Sequence, residues 1–94
     1  MKLDREVEIQ EQIIEYLGSI DISPFSVIFT YCLNDGGMLS ITFWINSDID
    51  EFLNHIEYKS ICDKSGYLIL RENNTIMISG FALIDFYSKV KVRS

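Results

Sequence analysis

The sequence predicts an α+β fold, with an N-terminal helix and a short second helix packed on one face of a four- to six-stranded, mainly antiparallel sheet. Three observations support this prediction. The N-terminal segment has apolar residues at helical spacing, the middle segment has two strand-like runs around Asn34-Asp35-Gly36-Gly37, and the C-terminal third has further strand-like runs separated by turn residues. With 94 residues, 48% of them hydrophobic, the chain is predicted to form one domain over residues 1–94.

The segment from Lys2 to Leu17 is predicted to be a helix that ends at Gly18. Its apolar residues fall on one broad side, and four acids spaced four, three and four apart fall on the opposite side. This row, which we call the acidic ridge, consists of Asp4, Glu8, Glu11 and Glu15. It is either an ordinary solvated helix face or a docking surface for a basic partner, and the lack of interleaved lysines favours docking.

The segment from Phe25 to Asn46 is predicted to form the central hairpin of the sheet. Large apolar residues alternate with mixed residues in both of its runs, so each run has one apolar face. A three-residue loop matches the two apolar faces and pairs Phe29 with Phe43. The same register puts Ile28 opposite Trp44 on the mixed face. This leaves open whether Trp44 belongs to the core or to an exposed interface.

A second helix is predicted from about Asp48 to Glu57, where apolar residues recur at helical spacing after a capping box that starts at Ser47. Three acids, Asp48, Asp50 and Glu51, crowd its first turn. The positive end of the helix dipole accounts for them locally, and an extension of the acidic ridge is the functional alternative.

The remainder of the chain is predicted to consist of strands. Tyr58 to Cys62 reads as a short strand, and Tyr67 to Arg71 and Thr75 to Ser79 read as an antiparallel pair. The apolar run from Phe81 to Tyr87 fits either a strand or a helix. We expect a strand that continues through residues 89–93, because apolar and basic residues alternate there as in a protected edge strand.

Charge is unevenly distributed along the chain. The net charge is -6, with eleven acids and two bases in residues 1–57 and three acids and six bases in residues 58–94. We therefore expect one acidic and one basic surface. Direct binding of nucleic acid is not expected, because phosphates are bound by clustered lysine and arginine.

Neither a membrane span nor a signal peptide is expected. No apolar run approaches the roughly 20 residues that a spanning helix needs, and the N terminus is charged over residues 2–6. The expected location is cytoplasmic, with Cys32 and Cys62 both reduced.

Residues suited to catalysis or metal binding are sparse. His55 is the one histidine, Glu51 lies a helical turn before it, and no serine or cysteine near it stands in a recognisable nucleophile motif. The cysteine spacing matches no zinc motif, and the sequence has no glycine-rich phosphate-binding loop. We therefore predict no enzymatic activity, no catalytic residue, no metal and no cofactor.

Two functional hypotheses follow. In the first, the chain is a small acidic protein-binding module that blocks or neutralises a basic surface of a partner protein, as an inhibitor or immunity protein does, for example against a nucleic-acid-handling enzyme. In the second, it is a homo-oligomeric adaptor or chaperone-like protein, such as a dimer, that associates through its sheet by the Trp44 face or by the edge near Val90. The predicted partner-binding residues are Asp4, Glu8, Glu11, Glu15, Asp48, Asp50, Glu51 and Trp44.

Overall fold

A computed structural model describes residues 4–31, 37–55 and 67–93. Within these residues the chain forms three helices and a four-stranded antiparallel sheet, which confirms the predicted α+β class with a strand number at the lower limit of the predicted range. In chain order the elements are α1 (Asp4–Ser19), β1 (Pro24–Thr30), β2 (Met38–Phe43), α2 (Asn46–His55), β3 (Tyr67–Glu72), β4 (Thr75–Gly80) and α3 (Phe81–Arg93).

The sheet has the strand order β1-β2-β4-β3, so β1 and β3 are its edge strands. All three strand pairs are antiparallel. Asn73 and Asn74 form the tight turn between β3 and β4, and Asn73 has a φ of 55°. Asparagine tolerates this left-handed conformation better than most residues, which explains why the turn forms at these two asparagines, as predicted.

One face of the sheet carries the hydrophobic core. Alternate residues of the strands are buried there, and the two predicted helices contribute apolar side chains to the same side, together with a third helix that was not predicted. The ring of Phe52 on α2 lies 5.5 Å from the rings of both Phe43 on β2 and Phe86 on α3. Phe86 in turn contacts Tyr16 on α1 at 5.6 Å. This aromatic cluster ties the three helices to the sheet.

The register of the β1–β2 hairpin differs from the prediction. Phe29 pairs with Leu39 and not with Phe43, so the two strands are shifted by four residues. The predicted core face is nevertheless correct, because an even shift leaves every side chain on its own face. Alternation therefore determines the faces of a hairpin but not its register. Here β2 also pairs with β4, a constraint that the hairpin residues alone do not reveal.

The segment after β4 is a helix, so the prediction of a strand over Phe81 to Arg93 is wrong. Ala82, Phe86 and Val90 are buried at intervals of four residues, a spacing that fits both a strand face and a helix face. Leu83 separates the two possibilities, since a strand would turn it away from these residues whereas a helix buries it beside them. Val90 consequently lies in the core and not on an edge strand.

Several predictions fall outside the described residues. These are the strand from Tyr58 to Cys62, most of the turn from Asn34 to Gly37 and the end of the second helix at Glu57. Cys32 also lies outside the described ranges.

Candidate protein-interaction surfaces

The acidic ridge lies on the side of α1 that points away from the core. Asp4, Glu8, Glu11 and Glu15 are all exposed, whereas the buried apolar residues of the helix lie on its opposite side. The spacing of three and four residues puts the Cβ atoms of successive ridge residues about 5–6 Å apart. The structure thus brings together the four α1 residues that the sequence singles out.

Within the described residues, one ridge acid has a cationic partner. Nη1 of Arg5 lies 2.8 Å from Oε1 of Glu8, and both side chains are about half exposed. A hydrogen bond to Tyr31, then the proximity of Tyr87 and of Glu8, raise the pKa of Arg5. No lysine or arginine in the described part pairs with Asp4, Glu11 or Glu15. The ridge therefore keeps most of its negative charge available to a partner.

The acids of α2 form a separate group. Helix α1 packs against β1 and α3, whereas α2 packs against β2. Asp50 lies 3.8 Å from Arg71 on β3, in an exposed pair that solvent screens. Asp48 is half-buried in the first turn, and Glu51 is exposed. The α2 acids are thus close to one another but belong to another part of the surface.

Two polar residues of α1 hold the free edge of β1, a role that the sequence analysis did not predict. Oε1 of Gln10 accepts a hydrogen bond from the N–H of Phe29 at 2.9 Å, and the carboxylate of Glu6 accepts one from the N–H of Tyr31 at 2.8 Å. Glu6 is buried, unlike the ridge acids. Because these N–H groups lie on an edge strand, α1 shields that edge from pairing with a further strand. Glu6 and Gln10 lie four residues apart at the margin of the apolar side, which suggests that they are less exposed than the ridge acids but does not identify their partner strand.

Trp44 lies just beyond β2 and is 65% exposed. Its neighbour is not Ile28, which pairs with Ser40, but Phe25. The two rings meet edge to face, with centroids 4.7 Å apart and an interplanar angle of 85°. A bulge at the start of β1 interrupts the alternation that would direct Phe25 toward the core, and leaves it 58% exposed. The bulge therefore creates an exposed aromatic pair.

The sheet face opposite the core is not covered by any of the three helices. None of its side chains on β1, β2 and β4 carries a charge. The exposed apolar residues Ile28, Met38 and Leu70 lie on this face, and hydroxyl-bearing residues surround them. We call this surface, together with Trp44 and Phe25, the open sheet face. Its hydroxyl-bearing members are Ser26, Thr30, Ser40, Thr42, Thr75 and Ser79.

A pocket of about 220 Å³ lies between α1, β1 and α3. Its described lining is mainly apolar, and the polar members are Arg5, Tyr31 and Tyr87. The hydroxyl of Tyr87 donates to Oε1 of Gln12 at 2.5 Å, and Nζ of Lys91 lies 5.4 Å from the centre of its ring. These polar groups are engaged with neighbours in the same chain, and the described lining includes no carboxylate, histidine or thiol.

The candidates for catalysis and metal binding remain apart. His55 is exposed at the end of α2, and Glu51 is exposed one turn before it. In the described ranges, no three His, Cys, Asp or Glu side chains converge on a position that would hold a metal ion. None of the helices in the same ranges combines the length and the apolar character of a membrane span.

Comparisons of the chain with protein families, with curated proteins and with solved structures gave no match. Function is therefore inferred from the two distinctive surfaces of the molecule, the acidic ridge and the open sheet face.

Proposed function

We propose that this chain is a small acidic protein-binding module that occupies a basic surface of a partner protein and thereby blocks it, as inhibitors and immunity proteins do. The observation that carries the proposal is the acidic ridge: Asp4, Glu8, Glu11 and Glu15 are exposed on one helix face, and the described residues balance that face with Arg5 alone. A row of unbalanced carboxylates complements a row of lysines and arginines. Such complementarity raises the association rate and selects against acidic partners.

The class of partner follows from the same charge. Enzymes that act on nucleic acid carry clustered lysine and arginine where the phosphate backbone binds. An acidic helix presents carboxylates on a rigid rod and competes for such a cluster. We therefore infer a nucleic-acid-handling enzyme as the partner class, and a cytoplasmic location remains part of this proposal.

The ridge is also held in a fixed position, which supports a binding role. On its core side α1 buries Ile9, Ile13 and Leu17, and on its flank Glu6 and Gln10 bond the backbone of β1. A surface that is rigid before binding loses less conformational entropy when the partner binds. The ridge therefore meets the partner as a preformed row of charges.

The experiment begins with affinity capture from the native host at low and high salt, followed by titration of the purified partner. We expect capture at low salt and a steep loss of affinity as salt rises, because salt screens exposed charges. The double substitution Glu11→Lys and Glu15→Lys is expected to weaken binding by at least about tenfold and to flatten the salt dependence.

A matched control separates the ridge from the overall charge. The single substitution Asp85→Lys, compared with Glu11→Lys alone, changes the net charge by the same amount at an exposed acid outside both the ridge and the open sheet face. It is expected to change the affinity by much less. An equal loss of affinity in the ridge variant and in the control, or no loss of affinity in the ridge variant, would show that the ridge is not the binding surface.

A further inference from the structure

We propose that the open sheet face binds a second copy of this chain, so that the protein forms a two-fold symmetric dimer through face-to-face packing of two sheets. This inference does not depend on the acidic ridge, which lies on the other side of the sheet. In this arrangement each copy buries the same patch, as an isologous interface requires.

The composition of the face is that of an interface core. Protein interfaces are depleted of charge at their centre and enriched in aromatic residues and methionine. On the open sheet face, Met38 is 42% exposed, Leu70 is 54% exposed, and the Trp44–Phe25 pair stands at one end. The chain as a whole is 23% charged, yet the open positions of β1, β2 and β4 carry no charge. Exposure to water alone does not require this exclusion of charge.

The hydroxyl groups make the face complementary to itself. A serine or threonine hydroxyl both donates and accepts, so it pairs with an identical hydroxyl across a two-fold axis. Thr42 and Thr75 already show such a contact within one chain, with Oγ1 atoms 3.1 Å apart. A face of carboxylates or ammonium groups would instead repel its own copy. In the described residues, Glu72 at the end of edge strand β3 is the one charged side chain that alternation places on this face. A charged partner therefore finds little opposite charge here, and this favours a second copy as the occupant.

The remaining charges of the molecule do not oppose this dimer strongly. Each copy carries a net charge of -6, but the acidic ridge points away from the core on the helix side of the sheet. The two ridges of a face-to-face dimer therefore lie on its outer sides, separated by more than the Debye length of about 10 Å at 0.1 M salt. Added salt is thus expected to leave the dimer unchanged or to strengthen it slightly.

The size of the face predicts a dimer of moderate affinity. Four strands about 4.8 Å apart and about 20 Å long, with two exposed aromatic side chains at one end, offer roughly 600 Å² per copy. The total of about 1,200 Å² is at the lower end of stable interfaces. We therefore expect dissociation in the micromolar range.

Sedimentation over a series of concentrations tests the proposal on the full chain. Wild-type protein is expected to change from monomer to dimer between about 1 and 500 μM. Ile28→Lys places an unpaired charge in the otherwise apolar and hydroxyl-rich interface and is expected to raise the dissociation constant by about 30-fold or more. Ile84→Lys is the matched control, because Ile84 is similarly exposed but lies on α3, away from the sheet face. It is expected to leave the dimer intact.

A second measurement needs no substitution. Trp44 is the single tryptophan of the chain, so its fluorescence reports on the open sheet face. We expect iodide to quench it readily in dilute solution and less readily as the dimer forms. A tryptophan shielded at every concentration would mean that another part of the same chain covers the face, which would overturn the proposal.

Two further outcomes would also overturn it. In the first, the protein sediments as a monomer up to the highest concentration. In the second, the Ile84→Lys variant fails to dimerise, whereas the Ile28→Lys variant is folded and dimerises like wild type. The ridge variant with Glu11→Lys and Glu15→Lys is expected to dimerise like wild type, since the ridge lies outside the interface. Failure of the dimer and failure of the ridge proposal are thus distinguishable.

Discussion

The acidic ridge and the open sheet face are both exposed, but they are suited to opposite kinds of contact. The ridge has a carboxylate at every position and keeps them apart from the core on one side of α1. The open sheet face has hydroxyls, aliphatic residues and an aromatic pair, with no charge on three of its strands. Charge in this chain is therefore largely segregated by surface, and contacts on the two surfaces differ in range and in salt dependence.

Charge on the ridge acts over several ångströms and weakens as salt is added, whereas the sheet face acts only at contact. Under the first proposal, a partner guided by the ridge is therefore recognised before it touches the protein. Under the second, a copy that docks on the sheet face is recognised by shape and by hydroxyl pairing after the two faces meet. The two proposals are compatible, because the core lies between the two surfaces.

The largest expected effect compares neighbouring residues on the two faces of the sheet. Phe43 is fully buried against Phe52, and Trp44 is 65% exposed. Phe43→Ala is expected to lower the free energy of unfolding by about 3–5 kcal/mol, because it leaves a cavity in the core. Trp44→Ala removes mainly the edge-to-face contact with Phe25 and is expected to cost about 0.5–1.5 kcal/mol. Urea denaturation in dilute solution measures both values.

The two variants control each other, since each removes one aromatic ring from adjacent positions. Equal decreases in the free energy of unfolding would mean that Trp44 contributes to the core as Phe43 does, and the open sheet face would then be wrongly assigned. If Trp44→Ala lowers the free energy of unfolding only at high protein concentration, the decrease would instead come from loss of the dimer.

The sequence predicts the faces of this fold better than its connections. The alternation around Phe29 and Phe43 identifies the core face, and the spacing of the ridge acids identifies the exposed side of α1. The hairpin register and the strand at Phe81 are predicted wrongly, because even spacing fits several arrangements and tertiary contacts choose among them. The bulge that exposes Phe25 is not predicted from the local sequence.

The roles of individual acids show the same limit. Glu6 and the ridge residues are the same kind of side chain on the same helix, yet Glu6 is buried and bonded to β1. Its role depends on where the edge strand lies, and helical spacing alone does not supply that information. The ridge, in contrast, depends only on which side of α1 is apolar.

An intermediate effect tests this division between acids of α1. Glu6→Ala removes the acceptor for the N–H of Tyr31 and is expected to lower the free energy of unfolding by about 1–3 kcal/mol. Glu11→Ala, on the exposed ridge, is expected not to lower it, because none of the hydrogen bonds and ion pairs of the described part involves Glu11 and because the substitution relieves like-charge repulsion along the ridge. Chemical denaturation of the two variants measures the difference.

Loss of the Glu6 acceptor also exposes part of an edge strand. We therefore expect Glu6→Ala to aggregate more readily than Glu11→Ala when partly unfolded, as light scattering during denaturation would detect. Equal stability and equal scattering of the two variants would contradict the assignment of Glu6 to the strand edge.

The smallest expected effect concerns the cost of the ridge to its own helix. Glu11 has an acidic neighbour three residues before it and another four residues after it, whereas Glu15 has one such neighbour, Glu11. Like charges at these spacings destabilise a helix by about 0.2–0.5 kcal/mol per pair, and glutamine has nearly the helix propensity of glutamate. Glu11→Gln is thus expected to stabilise the protein at low salt about twice as much as Glu15→Gln.

Thermal unfolding with and without 1 M salt measures both gains in stability, which should disappear as the Debye length falls to about 3 Å. Glu72→Gln on strand β3 removes the same charge at an exposed position outside the ridge, where no helical like-charge pair is relieved. An equal gain there would assign the effect to the net charge of the molecule, whereas a gain confined to Glu11 and Glu15 means that the ridge lowers the stability of its own helix, a cost that functional surfaces commonly carry.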